Sequence, residues 1–223
     1  MNSHIGLWPK LLTVLLLFGG SVTGCTPASP AVTTTTTIPV SVDCRLPGAG
    51  SILRGCDLSG KDFSNVDLTG ADLSGADLTS TYLYMADLTN ATLSGSNLSN
   101  ANLQSAVLTG AQLVTANLSS SYFYMADLTG ANLAGSNLSN ANLQRALLSG
   151  AVLTGSNMTG VYAYESDLSA ADLRNTNLTN ANMQNVNLSL ANLTGANLYG
   201  SYFFGATWLS TTCPNGILQS TRC

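Results

Sequence analysis

The sequence predicts an all-β fold, a four-sided β-solenoid of about eight coils that occupies residues 51–209. Three observations lead to this prediction. A five-residue motif recurs at constant phase, Gly or Asn often closes the motif, and a second repeat of forty residues overlies the first. A short repeat of fixed period is typical of solenoids, in which each unit stacks on its neighbours.

The motif itself combines a short extended piece with a corner. In the copy at 71–75, Ala71 and Leu73 are two residues apart, so an extended backbone points them to one side and Asp72 to the other. The next apolar pair comes five residues later, a spacing that fits neither a continuous strand nor the 3.6-residue period of a helix. Gly75 closes the motif, and Gly and Asn are the residues that most readily accept the left-handed backbone of a corner.

The longer repeat predicts the number of motifs in each coil. The segment T-Y-L-Y-M-A-D-L-T at 81–89 returns as S-Y-F-Y-M-A-D-L-T at 121–129, forty residues later. Forty residues are two turns of a coil with four motifs, whereas three or six motifs per turn do not divide this interval. Four motifs per turn imply a right-angled corner at each motif, with Leu at the centre of each wall and Ala beside it.

The tandem A-[DN]-L-[ST]-G resembles the pentapeptide-repeat family, and the resemblance covers residues 51–208. It implies a right-handed, quadrilateral β-solenoid with four motifs per coil. Some cytoplasmic members of this family mimic duplex DNA and bind DNA gyrase, so the resemblance also implies a DNA-mimicking alternative. An export leader and the scarcity of acidic residues beyond the first coils argue against that alternative.

Three positions depart from the motif. Cys56 and Lys61 occupy phases that should point inward, which predicts an irregular first coil. Ala163 stands where a wall-centre Leu is expected. Because loss of a large buried side chain costs about 2–5 kcal/mol, we expect local compensation from Tyr162 or Met158.

The N-terminus reads as a lipoprotein-type signal peptide over residues 1–24. Lys10 precedes an apolar run at 11–18 that is too short to span a membrane, and V-T-G-C follows at 22–25. This pattern resembles the bacterial lipoprotein signal, which implies lipidation of Cys25. An ordinary secretory leader is the alternative. Residues 25–42 then form a Thr- and Pro-rich tether, so we expect an exported, extracytoplasmic protein that is lipid-anchored in the cell membrane or envelope.

Four further cysteines bracket the repeat and predict two disulfides in an exported chain. We expect the local pairs Cys44–Cys56 and Cys213–Cys223, because the two ends of a rigid solenoid lie too far apart to be bridged. A metal site is the alternative, but the chain after the leader has no His and no C-x-x-C. The two disulfides would staple an N-terminal cap at 43–56, which overlaps the first motifs, and a C-terminal cap at 210–223. Such caps protect the open edges of a solenoid.

Stacking the coils with a period of 20 residues places like residues in columns. One column predicts an asparagine ladder of hydrogen bonds between coils; its members are Asn97, Asn117, Asn137, Asn157, Asn177 and Asn197.

A second wall, which we call the Tyr face, alternates aromatic and amide rows. Its rows are Tyr82/Tyr84, Asn102/Gln104, Tyr122/Tyr124, Asn142/Gln144, Tyr162/Tyr164, Asn182/Gln184 and Tyr202/Phe204. Rings flanked by amides suit a polysaccharide, whose C–H faces stack while its hydroxyls take hydrogen bonds, and they also suit a partner protein. The alternative is that the rings lie over the shorter amides and only pack the face.

The residues that chemistry needs are scarce. The only His is His4 in the leader, the only Glu is Glu165, and no Ser-His-Asp, Cys-His or phosphate-loop arrangement occurs. Asp67 and Asp87 would lie in neighbouring coils, but two carboxylates lack the six or more oxygens that Ca²⁺ takes, and capping of corner amides is the better interpretation. We therefore expect no enzyme activity, no metal and no cofactor.

Composition agrees with a binding or structural role. Charged residues make up 8% of the chain and the net charge is −4, which does not suggest nucleic-acid binding. We expect a non-catalytic, membrane-tethered rod that acts as a structural or binding module in the cell envelope, with an envelope protein or polysaccharide as its partner. Aromatic residues near the C-terminus, among them Tyr199 and Trp208, predict either cap packing or a homodimer seam.

Overall fold

The computed structural model describes residues 44–45 and 47–223, which form short extended segments separated by turns and contain no α-helix. Each segment forms a parallel bridge with the segment 20 residues later, from Ile52↔Asp72 to Asn192↔Thr212. Four bridged segments occur in every 20 residues, so successive coils stack in constant register. The all-β prediction is confirmed for these residues, and the register is that of a β-solenoid.

Each corner is a β-turn whose second central residue has positive φ. At the corner after Leu73, the backbone N–H of Ala76 donates to the carbonyl of Leu73 at 3.0 Å, and Gly75 between them has φ 64°. This arrangement resembles a type II turn, which needs positive φ only at that position. The corners include Asn90 at φ 56° as expected, but also Met85 at φ 55°. Backbone hydrogen bonds between coils impose this conformation even where the side chain does not favour it.

The core consists of the Leu and Ala columns, and both are almost fully buried; Leu118 is 0% exposed. Several Ser and Thr residues replace Ala in these inward columns. Thr81 is one of them, and its hydroxyl donates to the carbonyl of Leu78 at 2.7 Å. A buried hydroxyl with such a partner avoids the cost of an unsatisfied polar group.

The irregular first coil predicted from Cys56 and Lys61 is not present in the backbone. The bridges Asp57↔Asp77 and Asp62↔Tyr82 continue the common register through it. Cys56 is buried and disulfide-bonded. Lys61 is exposed. It lies in the first coil, where the inward column is not covered on both sides by neighbouring coils.

The compensation expected around Ala163 does not come from Tyr162. That side chain is 39% exposed, because its neighbours in the extended segment point inward and it must point outward. Val161 is fully buried in a column where Ala141 and Ala181 occupy the adjacent coils, so it adds volume next to Ala163. Met158 is also fully buried, within the Leu column of another wall.

Both predicted disulfides form. Cys44 and Cys56 have Cα atoms 5.7 Å apart, and Cys213 and Cys223 have Cα atoms 5.5 Å apart. The C-terminal cap contains two strands, β1 (Thr211–Thr212) and β2 (Leu218–Gln219).

The two cap strands pair antiparallel, with Thr211 opposite Gln219. Beneath them the rings of Phe203 and Trp208 are buried with centroids 5.0 Å apart. The cap-packing interpretation therefore holds for Trp208, whereas Tyr199 is 78% exposed.

No helix in the described part of the chain is long and apolar enough to cross a membrane. The predicted signal peptide, the lipidated Cys25 and the tether, residues 1–42, lie outside the described residues.

Candidate binding face

The solenoid brings every predicted residue of the Tyr face onto one wall. Parallel bridges join Tyr82 to Asn102 and Asn102 to Tyr122, and the same alternation continues to Tyr202. The tyrosines at the bridge positions stand out from the wall, with Tyr82 54% exposed and Tyr122 48% exposed. The amide side chains between them are half-buried. Since neighbouring strands are spaced at about 4.8 Å, aromatic rows recur at about 9–10 Å along the solenoid axis.

Rings stack on each other within two of the four aromatic rows. The centroids of Tyr162 and Tyr164 are 6.4 Å apart with 15° between the ring planes, and Tyr202 and Phe204 show the same distance with 11°. This distance is that of side chains two residues apart in an extended segment. Stacked pairs present rigid aromatic walls, which lose little conformational entropy on binding.

A groove of about 390 Å³ lies between the first two aromatic rows. Its lining residues are neutral and either aromatic or hydrogen-bonding; they are Ser80, Thr81, Tyr82, Asn100, Asn102, Gln104 and Tyr122. The rings of Tyr82 and Tyr122 bound the groove, and Asn102 and Gln104 lie in the row between them. The first amide row is therefore accessible between its aromatic neighbours.

Four members of the Tyr face line this groove, namely Tyr82, Asn102, Gln104 and Tyr122, and the other ten lie on the wall outside it. Tyr84 is 42% exposed and stands at the turn that follows Tyr82, next to Met85. Gln144 is half-buried in the second amide row, where its backbone N–H donates to Asn142 Oδ1 at 2.9 Å. Lying outside the groove does not test a contact at these positions, so the Tyr face as a whole stays a predicted contact surface. A ligand confined to the groove would not need them, and a contact with a longer ligand stays a prediction.

The amides of the Tyr face are bonded differently from those of the asparagine ladder. In the ladder, Asn117 Nδ2 donates to Asn97 Oδ1 at 3.0 Å, and Asn137 Nδ2 donates to Asn117 Oδ1 at 3.2 Å. The ladder continues from Asn157 to Asn137 at 3.1 Å, which confirms the predicted hydrogen bonds between coils.

Asn177 and Asn197, at the C-terminal end of the ladder, donate to threonine hydroxyls instead of to the next asparagine. Their Nδ2 atoms lie 3.0 Å from Thr159 Oγ1 and from Thr179 Oγ1, respectively. Along this wall the amide donors are thus used between coils.

On the Tyr face the rows next to each amide row are aromatic, so hydrogen bonds between amides of successive coils cannot form. Asn102 Oδ1 accepts the backbone N–H of Gln104 at 3.1 Å, and Asn142 and Asn182 accept in the same way. Within the described residues, no hydrogen bond uses Nδ2 of these three asparagines. Each therefore keeps an amide donor that is open to water or to another molecule.

Two methionines border the Tyr face at one corner, and the sequence reasoning did not include them. Met85 and Met125 are 51% and 53% exposed, and both have positive φ. A left-handed backbone costs a non-glycine residue about 1–2 kcal/mol. Glycine avoids this cost, and Gly205 occupies the same corner near the C-terminal end of the column. The recurrence of Met85 and Met125 in the forty-residue repeat was the available signal.

The corner beyond Met125 carries charge instead. Arg145 Nε lies 2.8 Å from Glu165 Oε2, and its Nη1 reaches the Tyr124 hydroxyl at 3.5 Å. Hydrogen bonding with Tyr164, and then with Arg145, lowers the pKa of Glu165. This exposed ion pair links consecutive coils beside the central rows, so the groove between the first two aromatic rows is the more neutral part of the face.

The aspartates cap corners, as expected. Asp67 Oδ1 accepts the backbone N–H of Thr69 at 2.9 Å, and the same contact recurs at Asp57 and Asp87. Hydrogen bonds from the hydroxyl and then the backbone N–H of Ser59 lower the pKa of Asp57. Among the residues that the structure describes, no group of three or more His, Cys, Asp or Glu side chains could hold a metal ion.

Comparison with protein families finds a match to a model of pentapeptide repeats. Eight copies match, over residues 50–83, 82–119, 126–162 and 171–207. No curated protein matches the chain.

Solved structures with this repeat are also similar. QnrB1, a plasmid-mediated fluoroquinolone resistance protein, is 24% identical over 71% of this chain and 84% of its own, with a TM-score of 0.56. HetL, involved in heterocyst differentiation regulation in Nostoc sp. strain PCC 7120, is 28% identical over 76% of this chain and 90% of its own, with a TM-score of 0.33. A pentapeptide repeat protein of the Arabidopsis thaliana thylakoid lumen is 30% identical over 55% and 68%, with a TM-score of 0.23.

Proposed function

Because the chain belongs to the pentapeptide-repeat family, whose members are generally non-enzymatic structural or binding proteins, we propose that it is a non-catalytic binding module. Its solenoid is right-handed, as in the family, and its Tyr face contacts a neutral, hydroxyl-rich component of the cell envelope. Polysaccharide is the ligand class that this chemistry favours. The mode of action is presentation of preformed rows, which avoids an ordering cost on binding.

One observation carries the proposal, namely the unpaired Nδ2 donors of Asn102, Asn142 and Asn182 between exposed rings. A face that served only for packing would gain by pairing these donors, as the asparagine ladder does. Rings stack on the C–H faces of a sugar, and free amide donors bond its hydroxyls. A protein partner is the competing occupant, and the experiment below separates the two.

We assign the protein an extracytoplasmic, lipid-anchored location through Cys25, with residues 25–42 holding the solenoid away from the bilayer. This assignment stands on the leader pattern of the sequence. Cys25→Ser should prevent incorporation of labelled fatty acid and move the protein out of the membrane fraction. Unchanged labelling of the Cys25→Ser protein would remove the anchor from the proposal.

Binding to DNA gyrase through DNA mimicry is the alternative function. The similarity to QnrB1 supports a shared fold, but mimicry of DNA needs negative charge along the rod. Here the carboxylates concentrate in the first coils, and later coils carry mostly neutral amides and hydroxyls. Inhibition of DNA supercoiling in vitro, together with a cytoplasmic pool of the protein, would favour this alternative.

Retention on purified cell-wall material, stripped of protein, tests the proposal. We expect Tyr82→Ser, Tyr122→Ser and Tyr162→Ser together to abolish retention of the full-length protein. The matched control replaces three exposed apolar residues off the Tyr face, by Val107→Ser, Leu147→Ser and Leu190→Ser, and should bind normally. Equal retention of both triple variants and the unaltered protein contradicts the proposal, and retention only on protein-containing envelope extracts indicates a protein partner.

A further inference from the structure

The rows of the Tyr face repeat along the solenoid axis at a fixed interval. Aromatic rows recur every forty residues, which is every second coil, and one amide row lies between each pair. Resting on the proposed function, we propose that the ligand is an extended β-1,4-linked glycan that lies along the solenoid axis. Each forty-residue unit would then meet two sugar units.

The geometry of such a glycan matches this alternation. In a β-1,4-linked chain each sugar ring is rotated by about half a turn relative to its neighbour, so every second ring presents the same face to a surface. The advance per sugar is also close to the spacing between neighbouring strands, about 4.8 Å. Every second sugar therefore meets an aromatic row, and the sugars between meet amides. An α-1,4-linked chain curls and loses this register after a few units.

The chemistry of the groove selects a neutral glycan. No charged side chain lines the groove between Tyr82 and Tyr122. A phosphate backbone or an acidic polysaccharide would find no cation there, and its carboxylates or phosphates would lose water without a counter-charge. Hydroxyl and acetamido groups are matched by the Asn102 and Gln104 amides and by the hydroxyl of Ser80.

The strongest subsite lies at the Tyr82–Tyr122 groove. Met85 and Met125 lie outside the groove, at the corner across the wall from Ser80 and Asn100, and their exposed side chains extend the apolar surface of this unit. The next unit has the exposed Arg145–Glu165 ion pair at the equivalent corner, which adds charge beside its rows. Binding should therefore begin at the N-terminal unit, and additional sugars should extend toward Tyr162 and Tyr202.

Calorimetric titration of the full-length protein with defined oligosaccharides tests the inference. The probes are the di-, tetra- and hexasaccharides of β-1,4-linked N-acetylglucosamine and of β-1,4-linked glucose, with an α-1,4-linked hexasaccharide of glucose as the length-matched control. We expect the affinity for one or both β-1,4 series to rise with each added pair of sugars, because linked contacts act together. The α-1,4 hexasaccharide should bind at least about tenfold more weakly than its β-1,4 counterpart.

Variants identify the surface. Asn102→Ala and Tyr122→Ser should each lower the affinity for the β-1,4 hexasaccharide about fivefold to tenfold, whereas Leu190→Ser should leave it unchanged. Leu190 is exposed at a corner that does not border the Tyr face. Thermal unfolding of each variant shows whether it folds, and Tyr122→Phe, which keeps the ring, should retain most of the affinity.

The outcomes separate this inference from the proposed function. Affinity that does not grow with chain length, or equal binding of the α-1,4 hexasaccharide, overturns the β-1,4 assignment. If retention on wall material still depends on the Tyr face while neither β-1,4 series binds, the proposed function stands and the glycan assignment fails. If retention on wall material does not depend on the Tyr face and neither β-1,4 series binds, the Tyr face is not a binding surface.

Discussion

The clearest consequence of the structure concerns two asparagines that look alike in sequence. Asn102 and Asn117 are both half-buried, both at bridge positions, and both accept the backbone N–H two residues later. Asn117 additionally donates to Asn97 and accepts from Asn137, whereas Asn102 has no such partner among the described residues. Replacing each by Ala in turn should therefore have unequal effects on stability.

The size of the difference follows from the hydrogen bonds that each substitution removes. Asn102→Ala removes one side-chain hydrogen bond and should lower the free energy of unfolding by about 1 kcal/mol. Asn117→Ala removes three and should cost about 3 kcal/mol. For a domain of this size 1 kcal/mol corresponds to roughly 2–4 °C, so the melting temperatures of the two variants should differ by about 4–8 °C.

Calorimetry or circular dichroism with the disulfides intact measures the melting temperatures, and urea titration measures the free energy. Binding should show the opposite order, with Asn102→Ala losing retention on wall material and Asn117→Ala keeping it. Equal destabilisation by the two substitutions would refute the reasoning, because Asn102 would then have a partner of comparable strength. Loss of binding in Asn117→Ala alone would place the ligand on the ladder wall.

Three further predictions test the fold. Hydrogen bonds with Ser59 lower the pKa of Asp57, and those with Thr69 lower the pKa of Asp67, so the folded state favours the charged carboxylates. Stability should therefore be constant at pH values well above the ordinary pKa of 3.8 and should decline as the pH falls below that value. A melting temperature that falls over this pH range would show the effect. Removing the Cys213–Cys223 disulfide, which closes a separation of 10 residues, should cost about 3 kcal/mol and increase hydrogen exchange in the last coil. Leu118→Ala, at a fully buried position, should cost about 2–5 kcal/mol in urea unfolding.

Most of the fold could be predicted because one short period determines it. The spacing of Ala and Leu predicted which side chains point inward, and the forty-residue repeat predicted four segments per coil, as the bridges have them. The corners were predicted at Gly and Asn, where local propensity and the coil geometry agree. Left-handed corners at Met85 and Leu190 were not predicted, since the hydrogen bonds between coils override the local preference there.

The errors came from treating positions without their neighbours. Lys61 has an inward phase but lies in the first coil, where an inward column is not covered on both sides. Tyr162 was expected to fill space beside Ala163, although the two-residue alternation of the same segment already directed it outward. In both cases the period gives the direction of a side chain, and the stack of coils determines whether that direction is buried.

The composition of the Tyr face was visible in the sequence, but its chemistry was not. Columns showed that Asn97 has Asn117 above it and that Asn102 has Tyr122, yet the unpaired donor follows only from the hydrogen bonds. A catalytic site can be recognised in a sequence by residue types at fixed spacing. A stacking surface of Tyr and Asn is harder to recognise, because the same residues also serve packing.

The position of the groove could not be predicted either. Sequence columns treat Tyr84 like its row partner Tyr82, and Gln144 like Gln104 two coils earlier, because residue type and phase are all that a column contains. In the structure only Tyr82 and Gln104 of these four line the groove. The difference depends on how far rings and amides project from the wall, which is set by contacts between coils.

The contrast between two walls of one solenoid is the strongest reason to assign the Tyr face a role in binding. Along the ladder, amide rows in successive coils bond to each other, and each such bond contributes about 1 kcal/mol. Inserting a tyrosine row after every amide row of the Tyr face gives up these bonds at Asn102, Asn142 and Asn182. Rings stack in two of the four aromatic rows, so stacking does not replace these bonds along the whole face. Stability alone would favour amides throughout, so the alternation makes physical sense where a ligand supplies the missing acceptors and covers the rings.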